Sequence, residues 1–269
     1  MKYFSDINFS KLTILESVFF CLKKIKDDFS IKTVFSNLKS KLREAKSYLA
    51  HEKNSHNKLK KLLELFYFNW NFREIEGKYN LSDVLWLDKV LITYQGTAIS
   101  LGIILLHFAN KLKIPLNPVI FPTQFILRAD YSNKKTVLIN PFNGDFLNHN
   151  ILELWLKGNI SFSAVLYEKY LKVSQPKDIL KKVLNTLKSA LMEENQILLA
   201  LKVSNVLLKI YPNDPYEIRD RGLIYSQLEC YSLAIQDFSY FINKCPDDPI
   251  SEIINLKIKS IKKKIHIIH

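Results

Sequence analysis

Apolar positions recur at helical spacing through the first part of the chain. Leu12, Ile14, Leu15, Val18, Phe19 and Leu22 fall on one helix face. Leu59, Leu62, Leu63, Leu65 and Phe66 mark another, with Lys58, Lys60 and Lys61 on its solvated side. No proline precedes Pro115, so nothing removes a backbone donor and the stretch is predicted mostly helical. From about Thr97 to Asn110 the sequence is apolar nearly all round, the pattern of a buried central helix. The character then changes. Pro115, Pro118, Pro122 and Pro141 bracket short β-branched and aromatic runs. Val119-Ile120-Phe121 and Phe125-Ile126-Leu127 read as one strand system, and Thr136-Val137-Leu138-Ile139 as its return strand. Asp130-Tyr131-Ser132-Asn133 reads as the hairpin turn, and Asn143-Gly144-Asp145 as a second turn. Two or three such strands do not stand alone, so the 97–110 helix is their natural cover. The arrangement is α+β.

Helices resume from about Leu152. Ser174-Gln175-Pro176 reads as a helix start with proline in the first turn, and we place the domain boundary there, giving 1–173 and 174–269. Pro212-Asn213-Asp214-Pro215 recurs as Pro246-Asp247-Asp248-Pro249 after 34 residues, the period of the tetratricopeptide repeat. Within that period Gly222 and Ala234 are small enough for two helices to approach, and Tyr225 and Phe238 fill the space between them. The preceding period keeps Ala200 and Pro212 but has Lys188 where a small residue belongs. One good repeat and one degenerate repeat are expected, with residues 250–265 as a capping helix.

Composition narrows the chemistry. Six glycines in 269 residues, with no G-x-G-x-x-G or G-x-x-x-x-G-K-[ST], exclude the glycine-rich nucleotide-binding loops. The net charge of +13 comes from 34 Lys and only 5 Arg spread along the whole chain. A nucleic-acid surface would call for arginine forks and clustering. An AT-rich coding bias is the blander cause, and nucleic acid is not the expected partner. Cys21, Cys230 and Cys245 form no framework, which fits a reducing cytoplasm. The first residues lack a signal-peptide pattern, since Asp6 and Glu16 interrupt it. No apolar run approaches a membrane span; Ala98 to Ala109 is too short.

Three segments resemble one family. Tyr94-Gln95-Gly96-Thr97-Ala98-Ile99-Ser100-Leu101-Gly102 is similar to the start of the nucleophile helix of transglutaminase-like proteins. Phe121-Pro122-Thr123-Gln124-Phe125-Ile126-Leu127-Arg128 is similar to their histidine strand, and Leu138-Ile139-Asn140-Pro141-Phe142-Asn143-Gly144 to their aspartate strand. With the C-terminal repeat, the chain resembles a bacterial family of transglutaminase-like proteins with tetratricopeptide repeats, the SirB-type proteins. The resemblance implies a degenerate transglutaminase-like (papain-like) domain followed by an α-helical repeat domain. It also implies a Cys-His-Asp triad for acyl transfer. At those places this chain carries Ala98, Gln124 and Asn140. Alanine has no nucleophile, glutamine cannot shuttle a proton and asparagine carries no charge. A pseudoenzyme is expected, with no catalytic residue and no cofactor or metal. Gln124 and Asn140 could hydrogen-bond each other or a ligand in the old cleft.

Other groups compete for a role. Thr97 and Ser100 near the helix start would serve a hydrolase or acyl transferase, or simply cap the helix. His107 is two turns away. His51, Glu52 and His56 read as an exposed loop or helix end rather than a zinc motif, because His-x-x-x-x-His does not share a helix face. Cys21 reads as core. Lys262 to His269 reads as a solvated tail. Arginine is scarce, so each one marks a place where lysine does not serve. Arg219 and Arg221 either pair with neighbouring acids, for instance Glu217 with Arg221, or line a groove. In the second case Arg219, with Tyr216 and Gln227, holds an acidic peptide. Arg128, after the histidine-like strand, is the remaining candidate. The expected function is a non-catalytic interaction module or regulator that binds a protein or peptide. A hydrolase using Ser100 or Thr97, and a nucleic-acid-binding regulator, are the alternatives.

Overall fold

Thr13 and Glu16 start the first helix, α1 (Ile14–Ile25). The Glu16 carboxylate accepts the Thr13 N–H at 2.9 Å while Thr13 Oγ1 accepts the Glu16 N–H, so two end donors are satisfied reciprocally. The structure is a computed structural model that describes residues 12–131 and 136–268. α2 (Ile31–Tyr48) and α3 (Ser55–Glu64) follow, the latter capped by Asn54, which accepts from the His56 and Asn57 N–H groups. α3 runs into one π-helical turn, Leu65–Asn69. Phe66 of that turn stacks on Phe72 at 4.2 Å, with Trp70 and Phe108 against the pair. The Lys41 ammonium lies over the rings of Trp70 and Tyr94 at 4.8 and 4.5 Å.

The short helix α4 (Leu87–Thr93) ends on Tyr94 in the left-handed region, φ 58°. β1 (Arg73–Glu74) and β2 (Gln95–Gly96) pair in parallel immediately afterwards. α5 (Ala98–Lys111) then runs through the core with Ala98 to Leu106 all buried, as its all-round apolar pattern predicts. The expected two or three strands become four. β3 (Leu116–Ile120), β4 (Phe125–Asp130), β5 (Thr136–Ile139) and β6 (Phe146–Leu147) form an antiparallel sheet in that order. Register is set by pairs such as Ile120 with Phe125, Arg128 with Leu138 and Ile139 with Phe146. Of the expected hairpin turn, Asp130 ends β4, and Ser132 and Asn133 lie outside the described residues. Successive residues of β4 serve opposite faces. Phe125 meets α5 at Gly102, whereas Ile126 joins Val119, Phe121 and Leu138 against Leu152 and Leu156 of α6 (His149–Asn159).

The second turn is tightly specified. Gly144 has φ +80°, and a Cβ there would come within 2.7 Å of the Tyr67 ring. The Tyr67 hydroxyl donates to the Pro141 carbonyl at 2.8 Å, tying the β5–β6 connection to the π-helical turn.

Helices account for the rest: α7 (Pro176–Glu193), α8 (Ile197–Ile210), α9 (Pro215–Gln227), α10 (Tyr231–Lys244) and α11 (Pro249–Ile268). The chain divides into one unit of residues 12–23 and 28–183 and another of 24–27 and 184–268, so the division falls inside α7. In the repeat unit Asp214 caps α9, with Pro215 as its first residue. A Cβ on Gly222 would lie 2.8 Å from the Phe238 ring, so glycine is what lets α9 and α10 close. Ala234, Phe238 and Phe241 form the core with Ile254 and Ile261 of α11. Lys262 to Lys264 are exposed within α11, a helix that continues to Ile268 where a loose tail was expected. Among the described residues no helix is long and apolar enough to cross a membrane.

Candidate functional site

The three family-like segments meet at the start of α5. Thr97 is the N-cap, and its Oγ1 accepts the Ser100 N–H at 3.3 Å while Ser100 Oγ accepts the Thr97 N–H at 2.9 Å. The two hydroxyls also lie 3.1 Å apart. Both are thus occupied in capping, and Ser100 is buried. Ala98 is the first residue of the helix and presents a methyl group. One turn further, a Cβ on Gly102 would lie 2.5 Å from Phe125 Cε1 and 3.5 Å from Pro141 Cβ. Phe125 follows Gln124 and Pro141 follows Asn140, so the segments that carry both amides reach this helix.

The two amides differ in their surroundings. Asn140 Oδ1 accepts the Phe142 N–H at 3.1 Å, and its backbone accepts from Gly144 and donates to Asp145. It is a turn-forming asparagine. Gln124 Nε2 and the neighbouring Thr123 Oγ1 are buried with no hydrogen-bond partner among the described residues. The two amides therefore do not bond each other. His107 lies nine residues beyond Ala98, roughly 13 Å along the axis at about 1.5 Å per residue. Burial, more than the nearby Lys111, pushes its pKa down to about 4, against an opposing pull from Glu16.

In the repeat unit the arginines are already engaged. Arg219 donates to Asp220 Oδ1 through Nε and Nη2 at 3.0 and 2.6 Å, and lies over the rings of Tyr216 and Phe241. The Tyr216 hydroxyl donates to Asp248 at 2.7 Å, which raises the pKa of the phenol. Gln227 is exposed at the end of the same helix. Arg128 stands apart in the other unit. It donates to Asp130 through Nε and to the Leu171 carbonyl through Nη1 at 2.8 Å, joining β4 to the turn at residues 168–171.

These two regions match known families. Residues 32–185 match the transglutaminase-like superfamily and residues 187–258 the tetratricopeptide repeat. Over all 269 residues of both chains, the protein is 47% identical to protein SirB1 of Salmonella typhimurium. The chain belongs to the SirB1/UPF0162 family. It is also 46% identical to the UPF0162 protein YchA of Escherichia coli K12 and 57% identical to a UPF0162 protein of Buchnera aphidicola from Schizaphis graminum, each over the full length of both chains.

The structure corrects the expected pairing within α9. Glu217 does not pair with Arg221. Arg221 instead makes a two-pronged contact with Asp237 on α10, at 2.7 and 2.8 Å. Glu217 faces Lys188 of α7. Lys188, at the position where the repeat pattern has a small residue, is 2% exposed. Its ammonium donates to Glu217 Oε2 at 2.7 Å and to Asp220 Oδ2 at 2.8 Å, while Asn185 donates to Glu217 Oε1. Sequence reading saw the misfit at Lys188 but not its remedy, because the two acids lie 29 and 32 residues away.

The remaining candidates hold no metal cluster. Among the described residues no group of three His, Cys, Asp or Glu is arranged to hold a metal ion. His56 sits in the first turn of α3, with its ring against Tyr131 and Phe146, and His51 is exposed. Cys21 is fully buried, and burial pushes its thiol up to about 12, so it is inert packing.

Proposed function

We propose that this protein is a non-catalytic interaction protein or regulator of the bacterial cytoplasm, with acyl transfer lost from its transglutaminase-like domain and a protein segment held by its repeats. Ala98 carries the reading: the residue that opens α5, where the family resemblance puts the nucleophile, has no reactive atom. Gln124 and Asn140 in the neighbouring segments supply neither a base nor a carboxylate. The substitute hydroxyls of Thr97 and Ser100 are taken up by the helix cap. Family membership and the repeats support an interaction role. On the repeat side we assign the contact surface to Tyr216, Arg219 and Gln227 of α9, where the Arg219 guanidinium lies over the Tyr216 ring and Gln227 is exposed at the end of the helix.

The test has two parts. Purified protein is assayed for hydrolysis of small esters and amides and for amine incorporation into glutamine peptides. No turnover above buffer is expected, with Ser100→Ala indistinguishable from the parent. Turnover abolished by Ser100→Ala would establish the hydrolase reading instead. Native cross-linking in lysate is then compared for the parent, Tyr216→Ala and Arg219→Ala. A partner lost in both variants is expected, and one retained by both would remove the assignment to α9.

A further inference from the structure

At the opposite end of α5 from Ala98, the N-terminal domain contains a cavity of about 310 Å³. Four segments wall it: the start of α1, the last turns of α5, the start of β3 and the link into α7. The volume falls at the lower end of the range for small-molecule sites. Among the described residues no Lys, Arg, Asp or Glu lines it, so its described wall offers an ionised ligand no compensating charge.

The polar groups around it divide into two sets. Ser174 and Thr13 are structural. Ser174 Oγ accepts the Ile120 N–H at 2.8 Å, extending the β3 edge, and Thr13 caps α1. His107, Asn110, Asn117 and Gln175 are different. His107 Nδ1 is buried without a partner, whereas the half-buried Asn117 and the exposed Asn110 and Gln175 make no side-chain hydrogen bond among the described residues and face the opening with their amides solvated. A buried polar atom left unpaired costs about 1–3 kcal/mol, so such a group bordering a cavity favours a ligand that satisfies it. Each carboxamide offers a donor and an acceptor from adjacent atoms. That pairing matches a cis-amide or amidine edge, as asparagine and glutamine match adenine. Leu106 and Leu116 supply apolar surface for the body of such a molecule. The imidazole is held neutral by burial, so it adds a hydrogen-bonding edge without adding charge.

We propose that this cavity is a binding site for an uncharged heterocycle of nucleobase size, held through its amide-like edge by His107, Asn110, Asn117 and Gln175. The site is separate from the Ala98 end of the helix and does not depend on the reading given above for that end.

The probes are adenine, uracil and nicotinamide, with indole as an apolar control without an amide edge and adenosine monophosphate as a charged one. Binding to the full-length protein is followed by calorimetry, and by the ¹⁵N-coupled imidazole signals of the histidines. At least one uncharged probe is expected to bind with a submillimolar Kd and to move the His107 signal. Asn117→Leu and Gln175→Leu should each weaken it at least tenfold. Leu106→Trp should fill the cavity and abolish binding. Failure of all three uncharged probes to bind at 1 mM overturns the proposal. So does indole binding as well as they do, or binding that leaves the His107 signal unmoved. Affinity unchanged in both Asn117→Leu and Gln175→Leu overturns it too. The His107 signal is read on the unmutated protein, so the outcome stands even if Leu106→Trp does not fold.

Discussion

The buried ion pairs of the described residues lie in the repeat domain, whereas both domains leave neutral polar groups unpaired. In the repeat domain a buried ammonium, Lys188, meets two carboxylates, and Arg221 meets both oxygens of Asp237. In the N-terminal domain the buried orphans Gln124 Nε2, Thr123 Oγ1, Tyr131 Oη and His107 Nδ1 are all neutral. Asn185 Oδ1 and Ser204 Oγ are neutral orphans of the repeat domain. The difference follows from desolvation. An unpaired buried charge costs far more than an unpaired amide or imidazole, so the buried ions are partnered, Asp88 by the Lys89 N–H and those of the repeat domain by opposite charges, while neutral groups can be left over. Ion pairs therefore mark where this protein holds itself together. Unmatched neutral groups beside an opening mark where it can hold something else.

The sharpest way to break that contrast is Glu217→Ala. It leaves Lys188 buried with one carboxylate and should cost about 3–5 kcal/mol, read as a lower urea midpoint. Lys188→Ala in the same chain should recover part of the loss, because the stranded charge is gone. An unchanged midpoint in Glu217→Ala would show that the network carries no stability.

A smaller effect tests the other domain. Gly102→Ala forces a methyl into the Phe125 ring, which has no room at 2.5 Å, and should cost about 1–3 kcal/mol in spite of alanine's better helix propensity. The same change should alter the environment of Gln124, visible in its side-chain amide resonances. Unshifted resonances would separate Gly102 from the cleft.

The smallest effect is acid sensitivity. His107 has a folded pKa of about 4, below the ordinary value of 6.5, so the unfolded chain takes up its proton first. Its contribution is intact above about pH 6.5 and is lost as pH falls toward 4. The charged groups facing it are Glu16 on α1 and Lys111 on α5. Melting temperature should therefore fall by roughly a few degrees across that window, and His107→Gln should flatten the slope. A slope identical in the variant would assign the acid loss to other groups.

What the sequence makes legible is what local spacing encodes. The all-round apolar run of α5, the paired β-branched runs and the 34-residue period each show within a short window, and each appears in the fold. β1 and β2 are two residues long and carry no period at all. β6 is equally short and rests on the Gly144 turn, of which only the turn is visible in sequence. The candidate residues at Ala98, Gln124 and Asn140 come from motif resemblance, and the Gly102 contact with Phe125 and Pro141 places their segments together. The cavity beside His107 could not be read beforehand. Its walls come from four separated segments, and nothing in any one of them says that its amides go unpaired.

The lysine in the repeat core also constrains how this sequence can change. A small residue at 188 would suit helix packing, yet replacing the lysine alone would leave Glu217 and Asp220 facing one another without their shared cation. Changing either acid alone weakens the support of the ammonium. Positions 188, 217 and 220 are therefore energetically coupled, although Arg219 still serves Asp220 and Asn185 still serves Glu217 when the lysine is replaced.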